Sequence, residues 1–202
     1  LKKKAPGKKV IIGGAVLRCL PWQAIQLLCA LPYIDLVCVG DGEYPLLDAL
    51  AAVEQGGDLR SVAGYYYRDR VDGVKHSGVQ RVPEITSQPA PAYDAENLAL
   101  LPPKSVTLPV LYSKGCYWGK CAFCSHPAGG GVQRPEVFVD QIHSLAERHG
   151  VNNFYFAGGS IPARFAEEVS RLLLKRRRSI GYGTFMKIEK TFVNNPRLIS
   201  EM

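Results

Sequence analysis

Hydrophobic positions along the chain fall into two alternating series separated by a stretch with no period. In the first series "KKVIIGG" is a short apolar run closed by a glycine pair, and "IDLVCVGDGE" is another closed by a glycine-acid turn; both predict buried strands. Between them "LPWQAIQLLCALP" has helical spacing and is closed by Pro32. Strand, helix, strand is the repeating unit of a parallel sheet. "YPLLDALAAVEQGG" then predicts an amphipathic helix packing through Leu46, Leu47, Leu50 and Val53 and stopped by Gly56 and Gly57. "SVAGYYYRDRVDGVKHSGVQ", with β-rich runs on either side of Asp72-Gly73, predicts a hairpin added to that unit.

From Val82 to Lys104 the prolines cluster without a sustained apolar period, which predicts a linker wrapping over a surface. The second series then runs as strand "SVTLPVLYS", a cysteine-rich loop, helix "PEVFVDQIHSLAERHG", strand "NNFYFAGG", helix "PARFAEEVSRLLLKRRR" and strand "IGYGTFMKI". Pro135 near the first turn and Gly150 as a stop bound the first of these helices. The β-loop-α-β-α-β order opens a parallel barrel or an open sheet. The expected division is a partial α/β domain with its hairpin over 1–81, a linker over 82–104 and a second α/β domain over 105–202.

Composition supports a folded protein: of 202 residues 47% are hydrophobic and 21% charged. No apolar run approaches the roughly 20 residues that cross a bilayer, and "LKKKAPGKKV" leads into a strand instead of a signal-peptide core, so the expectation is a cytoplasmic protein with no membrane partner. The net charge of +7 permits a nucleic-acid partner. Its basic residues, however, gather in "LKKK", "GKK" and "KRRR" (Lys175 to Arg178), and the last reads as a solvated helix end. The chain starts without Met and stops at "NNPRLISEM", where a helix is under way; the expectation is a piece of something larger, unable to turn over substrate alone and prone to associate through an unpaired third strand.

Three of the six cysteines sit among apolar residues, Cys19, Cys29 and Cys38, and are expected to be inert core thiols. The others fall within nine residues, in "GCYWGKCAFCSH", spaced Cys116-x4-Cys121-x2-Cys124 on the loop after a strand. α/β folds place their chemistry at the carboxyl ends of such strands. Thiolates suit zinc or an iron-sulfur cluster. A structural zinc needs a fourth protein ligand, which His126 could supply, whereas a cubane held by three cysteines leaves one iron open. The zinc alternative gives a non-catalytic zinc-binding module with basic nucleic-acid-binding ends; it explains the cysteines and the charge but not the alternating strands and helices.

"KGCYWGKCAFC" resembles the cluster loop of radical S-adenosylmethionine (SAM) enzymes, placed after the first barrel strand, with Phe123 as the aromatic before the last cysteine. Upstream, "VIIGGAV", "IDLVCVGDGEYPLLDAL" and "DLRSVAGYYYRD" resemble the last part of the cobalamin-binding domain that precedes the barrel in the cobalamin-dependent subgroup. The implied fold is α/β: the C-terminal part of a Rossmann-like cobalamin-binding domain followed by the first β/α units of a radical SAM partial TIM barrel. The resemblance implies a [4Fe-4S] cluster on Cys116, Cys121 and Cys124. It implies SAM bound at the open iron and cleaved by one electron from an external donor to a 5'-deoxyadenosyl radical. Methyl transfer, or a related radical modification, with cobalamin as a further cofactor would follow, on a small molecule, a peptide or RNA.

Two departures stand out. Four residues, Tyr117 to Lys120, separate the first two cysteines where the family usually has three. In "FAGGS" the glycines Gly158 and Gly159 match the strand end that receives the amino group of SAM, but Ser160 stands where the family often has an acid. Lys187 and Glu189, expected on one face of the third strand with Phe185, are candidates for the SAM carboxylate or ribose. Gly13, Gly14, Gly40, Asp41, Gly42 and Glu43 lie at expected strand ends and are candidates to border cobalamin. No histidine among His76, His126, His143 and His149 corresponds to a cobalt ligand, and catalytic side chains are not assigned.

Overall fold

The computed structural model describes residues 6–14, 17, 21–80, 84–102, 106–124, 126, 129, 131–176 and 178–197. The chain divides into two compact units, Leu1–Pro83 and Glu84–Met202.

In the first unit β1 (Ile11–Ile12) and β2 (Leu36–Cys38) are parallel and joined through helix α1 (Pro21–Ala30). The hairpin β3 (Tyr65–Asp69) and β4 (Gly73–His76) hydrogen-bonds antiparallel to β2, giving the order β1-β2-β3-β4. The pleat sends successive residues of β2 to opposite faces. Val37 packs with Ala24 and Leu28 of α1, while Leu36 and Cys38 pack with Tyr65 and with Ala49 of helix α2 (Glu43–Glu54). α2 buries Pro45 and Ala49, not the expected leucine stripe: Leu46, Leu47, Leu50 and Val53 are 49–61% exposed. Small residues at i and i+4 let the helix approach the sheet closely, which turns the larger side chains outward. Cys38 is buried as expected, Cys29 is exposed, and Cys19 lies outside the described residues. Cys29 falls on the outer side of α1, whose buried positions are Ala24 and Leu28. Arg68 of β3 caps α1, its guanidinium donating to the carbonyls of Leu28, Pro32 and Ile34.

In the second unit β5 (Thr107–Leu111), β6 (Asn153–Ala157) and β7 (Gly181–Gly183) are parallel in that order. Helices α4 (Pro135–His149) and α5 (Ala163–Lys175) provide the crossovers. Alternate residues Leu108, Val110, Phe154 and Phe156 pack with Phe138 and Ile142 of α4 and with Phe165 and Val169 of α5. Phe138 meets Phe156 edge-on at 4.8 Å, and Tyr112 stacks on Phe165 at 5.4 Å. α4 begins with Pro135 in its first turn and ends at Gly150, whose φ of 65° is left-handed.

The proline-rich stretch is partly ordered structure within this unit. It forms a 3₁₀ turn (Ile85–Ser87) and helix α3 (Ala95–Ala99), whose first turn is capped by the Asp94 carboxylate at 2.9 Å from the Glu96 amide. The third strand stops at Gly183, shorter than expected. The chain then leaves β6, with Phe185 accepting from the Ile161 amide at 2.8 Å and Lys187 donating its amide to Ser160 Oγ at 2.7 Å. Strict face alternation beyond Gly183 is therefore lost. The "KRRR" run closes α5 with Lys175 and Arg176 exposed, as expected; Arg176 pairs with Asp140 on that surface, and Arg178 donates to Asn152 Oδ1 at 2.9 Å and to the Ala146 carbonyl of α4 at 2.8 Å. Short helix α6 (Lys190–Asn194) buries Phe192 against Ala163.

His143 of α4 is buried, and its Nε2 has no partner among the described residues. Burial, then the nearby Arg176 and Arg178 charges, hold its pKa below the ordinary 6.5, outweighing Glu147 and Asp140. The unfolded chain therefore binds the proton first as pH falls, so stability is full above about 6.5 and declines below it toward the folded value. The urea midpoint of the wild type is expected to drop between about pH 7.5 and pH 5. His143→Leu should show a flatter profile over the same range; equal slopes would remove His143 as the cause.

Candidate metal centre

Three segments meet at the carboxyl ends of the second unit's sheet: the loop after β5, the Gly158-Gly159-Ser160 turn after β6 and the chain after β7. Gly159 donates its amide to the Gly115 carbonyl at 3.1 Å, and its own carbonyl accepts from the Tyr112 hydroxyl at 2.8 Å. Tyr112 is fully buried, and burial first of all pushes its pKa up to about 12, so its hydroxyl stays a donor. A Cβ on Gly159 would lie 2.6 Å from the Cys116 Cβ and 2.7 Å from the Gly115 carbonyl. One on Gly158 would lie 2.5 Å from Ser113 Oγ and 2.8 Å from the Tyr112 ring. Both positions therefore exclude every side chain, a stronger requirement than an ordinary strand-to-helix turn makes.

This approach brings the Ser160 amide to the Cys116 thiol. Burial alone would raise that thiol; the amides of Ser160, Gly119 and Trp118 and the Lys187 charge outweigh it and hold the pKa below its ordinary value of 9.0. The backbone supplies these donors because Gly115 and Gly119 take left-handed φ values of 90° and 56°, letting the loop curl around the sulfur. Cys121 and Cys124 are exposed, with the Cys124 amide bonded to the Cys121 carbonyl at 3.1 Å and the Cys124 Sγ accepting from the His126 amide at 3.4 Å. His126 thus approaches the cysteines through its backbone. Among the described residues no three His, Cys, Asp or Glu side chains converge on one point. The donor set nevertheless suits a soft metal group: three thiols on one short, partly exposed loop, one already biased toward thiolate.

A cleft of about 220 Å³ adjoins the loop, lined by Ser113, Gly115, Tyr117, Gly129, Ser160 and Pro162. Ser160 Oγ is engaged with the Lys187 amide on this rim. Lys187 and Glu189 come to the same place: their side chains pair at 3.3 Å, Glu189 accepts the Tyr117 hydroxyl, and the Lys187 Nζ lies 3.2 Å from the Trp118 ring centroid. Phe123 stands apart, 93% exposed. Sequence alone assigns no role to Tyr112, Tyr117 or Trp118; the signal for Tyr112 is an aromatic at the end of a strand that leads into the loop.

In the first unit Gly13 and Gly40 fall at the carboxyl ends of parallel neighbours β1 and β2, with Gly13 against Cys38. Gly14 and Gly40 are left-handed, at φ 117° and 97°. The Gln80 side chain lies against Gly40: a Cβ there would be 2.6 Å from Gln80 Nε2, and one on Gly64 would be 2.6 Å from Gln80 Oε1. Gln80 donates to the Val39 carbonyl at 3.3 Å and accepts from the Cys38 thiol at 3.9 Å. Asp41 is half-buried and Glu43 exposed, and their charges, after burial itself, raise the Cys38 pKa. A cavity of about 690 Å³ in this unit, lined by Lys9, Asp35, Asp58, Arg60 and Arg70 among others, lies at the other end of the strands from these turns.

No protein family's sequence model matches the chain, and no curated protein does. Solved structures do, and they show the fold: α/β, as in solved cobalamin-dependent radical SAM enzymes, with a Rossmann-like part followed by the start of a partial barrel. One is the cobalamin-dependent S-adenosylmethionine radical enzyme OxsB with aqua-cobalamin and S-adenosylmethionine bound, 23% identical over 85% of this chain with a TM-score of 0.64. Another is the radical S-adenosylmethionine methyltransferase TsrM from Kitasatospora setae with cobalamin and a [4Fe-4S] cluster bound, 16% identical over 96% of this chain with a TM-score of 0.68. A further TsrM structure holds a tryptophan substrate and a SAM analogue, at a TM-score of 0.66. The chain spans 25% of the length of the OxsB structure and 40% of the TsrM one. Among the described residues no helix is long and apolar enough to cross a membrane.

Gly159→Ala forces a methyl into the Cys116 backbone, an overpacking expected to cost about 1–3 kcal/mol. Urea unfolding should show that loss, and Ser160→Ala, which keeps the backbone amide, should show much less. Equal midpoints for Gly159→Ala and wild type would contradict the close approach.

Proposed function

We propose that the chain carries the cofactor-binding part of a radical SAM enzyme, with Cys116, Cys121 and Cys124 holding a [4Fe-4S] cluster. The observation that carries this reading is the meeting of the three-cysteine loop with the Gly158-Gly159-Ser160 turn at the carboxyl ends of β5 and β6, in a fold whose solved examples bind such a cluster and SAM. A cluster held there would supply one-electron reducing power, taken from an external donor, for reductive cleavage of SAM.

This chain's residues do the holding and the shaping. The amides around Cys116 neutralise negative charge that accumulates on a thiolate-ligated group. The glycine turn presents bare backbone beside the loop; where the family often has an acid, the SAM amino group would meet carbonyls of this turn and Ser160 Oγ through lone pairs not already taken by Tyr112 and the Lys187 amide. Phe123, the aromatic before the last cysteine, stands outside the packed core beside the loop. The turns at Gly13-Gly14 and Gly40-Asp41-Gly42-Glu43 border cobalamin in this reading, supported by their adjacent parallel strand ends and by the corrinoid in the related structures. Methyl transfer is the reaction class favoured, on the likeness to TsrM. The zinc-module alternative leaves the alternating strands and helices unexplained.

Anaerobic reconstitution of the 202-residue chain with iron and sulfide is expected to give a brown protein with about four irons per chain and visible charge-transfer absorbance. Replacing the three cysteines by Ala should abolish both. Wild-type iron and sulfide in that triple variant, or a colourless protein holding zinc, would falsify the assignment.

A further inference from the structure

The four residues between Cys116 and Cys121 include two aromatics, and both reach the chain that follows β7. Tyr117 donates to Glu189; Lys187 pairs with the same carboxylate at 3.3 Å; and the Lys187 ammonium sits over the Trp118 ring at 3.2 Å from its centroid. Phenol, carboxylate, ammonium and indole therefore form a closed set of contacts between the cysteine loop and residues 187–189. Tyr117 and Trp118 remain 39% and 38% exposed, so packing alone does not fix them. The Lys187 and Glu189 side chains are only 35% and 23% exposed, and a partly desolvated cation over an indole is held more firmly than an open surface pair. Lys120, 5.3 Å from the same ring, belongs to the loop itself.

The contacts draw on both ends of the site. Tyr117 follows Cys116 directly, and Trp118 and Gly119 supply two of the amides that reach its thiol. Lys187 is anchored through its own amide to Ser160, whose amide is the third. Movement of either aromatic would move the donors that surround the sulfur. We propose that Tyr117, Trp118, Lys187 and Glu189 form a latch that holds the cysteine loop against the chain after β7 and makes these four positioning residues for Cys116. The longer spacing between Cys116 and Cys121 provides the room for its aromatic arm. Lys187 and Glu189, in this arrangement, serve the loop itself and not the carboxylate or ribose of SAM. The latch exists without a cluster; only its effect on metal retention rests on the proposed function.

The test uses the full chain carrying Trp22→Phe, which leaves Trp118 as the sole tryptophan. In the cluster-free protein, Lys187→Met is expected to raise acrylamide quenching of Trp118 roughly twofold, and Lys187→Arg, which keeps the cation over the ring, to leave it near wild type. After iron loading, chelator-driven iron loss should run roughly three- to tenfold faster in Lys187→Met, with recovery in Lys187→Arg and a smaller increase in Tyr117→Phe. Circular dichroism should be unchanged in all of them; should Lys187→Met fail to fold, Tyr117→Phe carries both measurements. Unchanged quenching in Lys187→Met overturns the latch, and changed quenching with unchanged iron loss overturns its positioning role. Wild-type protein that takes up no iron overturns the proposed function instead, and the quenching comparison still decides whether the latch is formed.

Discussion

A single close approach organises the second unit: the backbone at Gly158 and Gly159 runs so near to Tyr112, Gly115 and Cys116 that no side chain fits between them. The contact is made by hydrogen bonds on both sides, Gly159 donating to Gly115 and accepting from Tyr112. Tyr112 is the link to the interior, since its ring belongs to the aromatic cluster with Phe138 and Phe165 while its hydroxyl reaches the strand end. The rigidity of a packed core is thereby passed to a loop that has little packing of its own. Loops that carry chemistry need such a scaffold.

From that approach the electrostatics of the site follow. With the β6 end against the loop, the Ser160 amide joins those of Trp118 and Gly119 at the Cys116 sulfur, and Lys187 arrives through its bond to Ser160. Neutral amide dipoles and one paired cation lower the thiol against the opposing effect of burial. No side-chain base is needed. Cys121 and Cys124 lie on the exposed part of the loop, where the Cys124 sulfur accepts from the His126 amide.

The two alternating series, the breaker positions Pro135 and Gly150, the hairpin and the cysteine spacing were all legible in the sequence because they depend on local period and turn chemistry. The packing face of α2 was not: a leucine stripe has the stronger pattern, but Pro45 and Ala49 allow the closer contact, and only the partner surface decides between them. The end of β7 was misread because "IGYGTFMKI" continues as a β-like run, while the hydrogen bonds that draw Phe185 and Lys187 toward residues 160–161 come from more than twenty positions earlier in the chain. The cysteines and the glycine pair could be named as candidates from type and spacing. Tyr112, and the pairing of Tyr117 and Trp118 with Glu189 and Lys187, could not, since each is an ordinary residue given its place by the fold.

Glycine at a strand end carries different meaning in the two units. At Gly40 and Gly64 the excluded volume is filled by Gln80, a side chain of the same unit that also satisfies the Val39 carbonyl and the Cys38 thiol, so internal packing accounts for both left-handed glycines. At Gly159 the excluded volume is filled by the backbone of a loop whose side chains are metal-binding in type. A flexible glutamine amide can withdraw to admit a ligand at modest cost, whereas the Cys116 backbone has nowhere to go. The first arrangement leaves a turn whose occupied space is held by one movable side chain. The second is fixed in advance, and it is there that the functional reading has its physical footing.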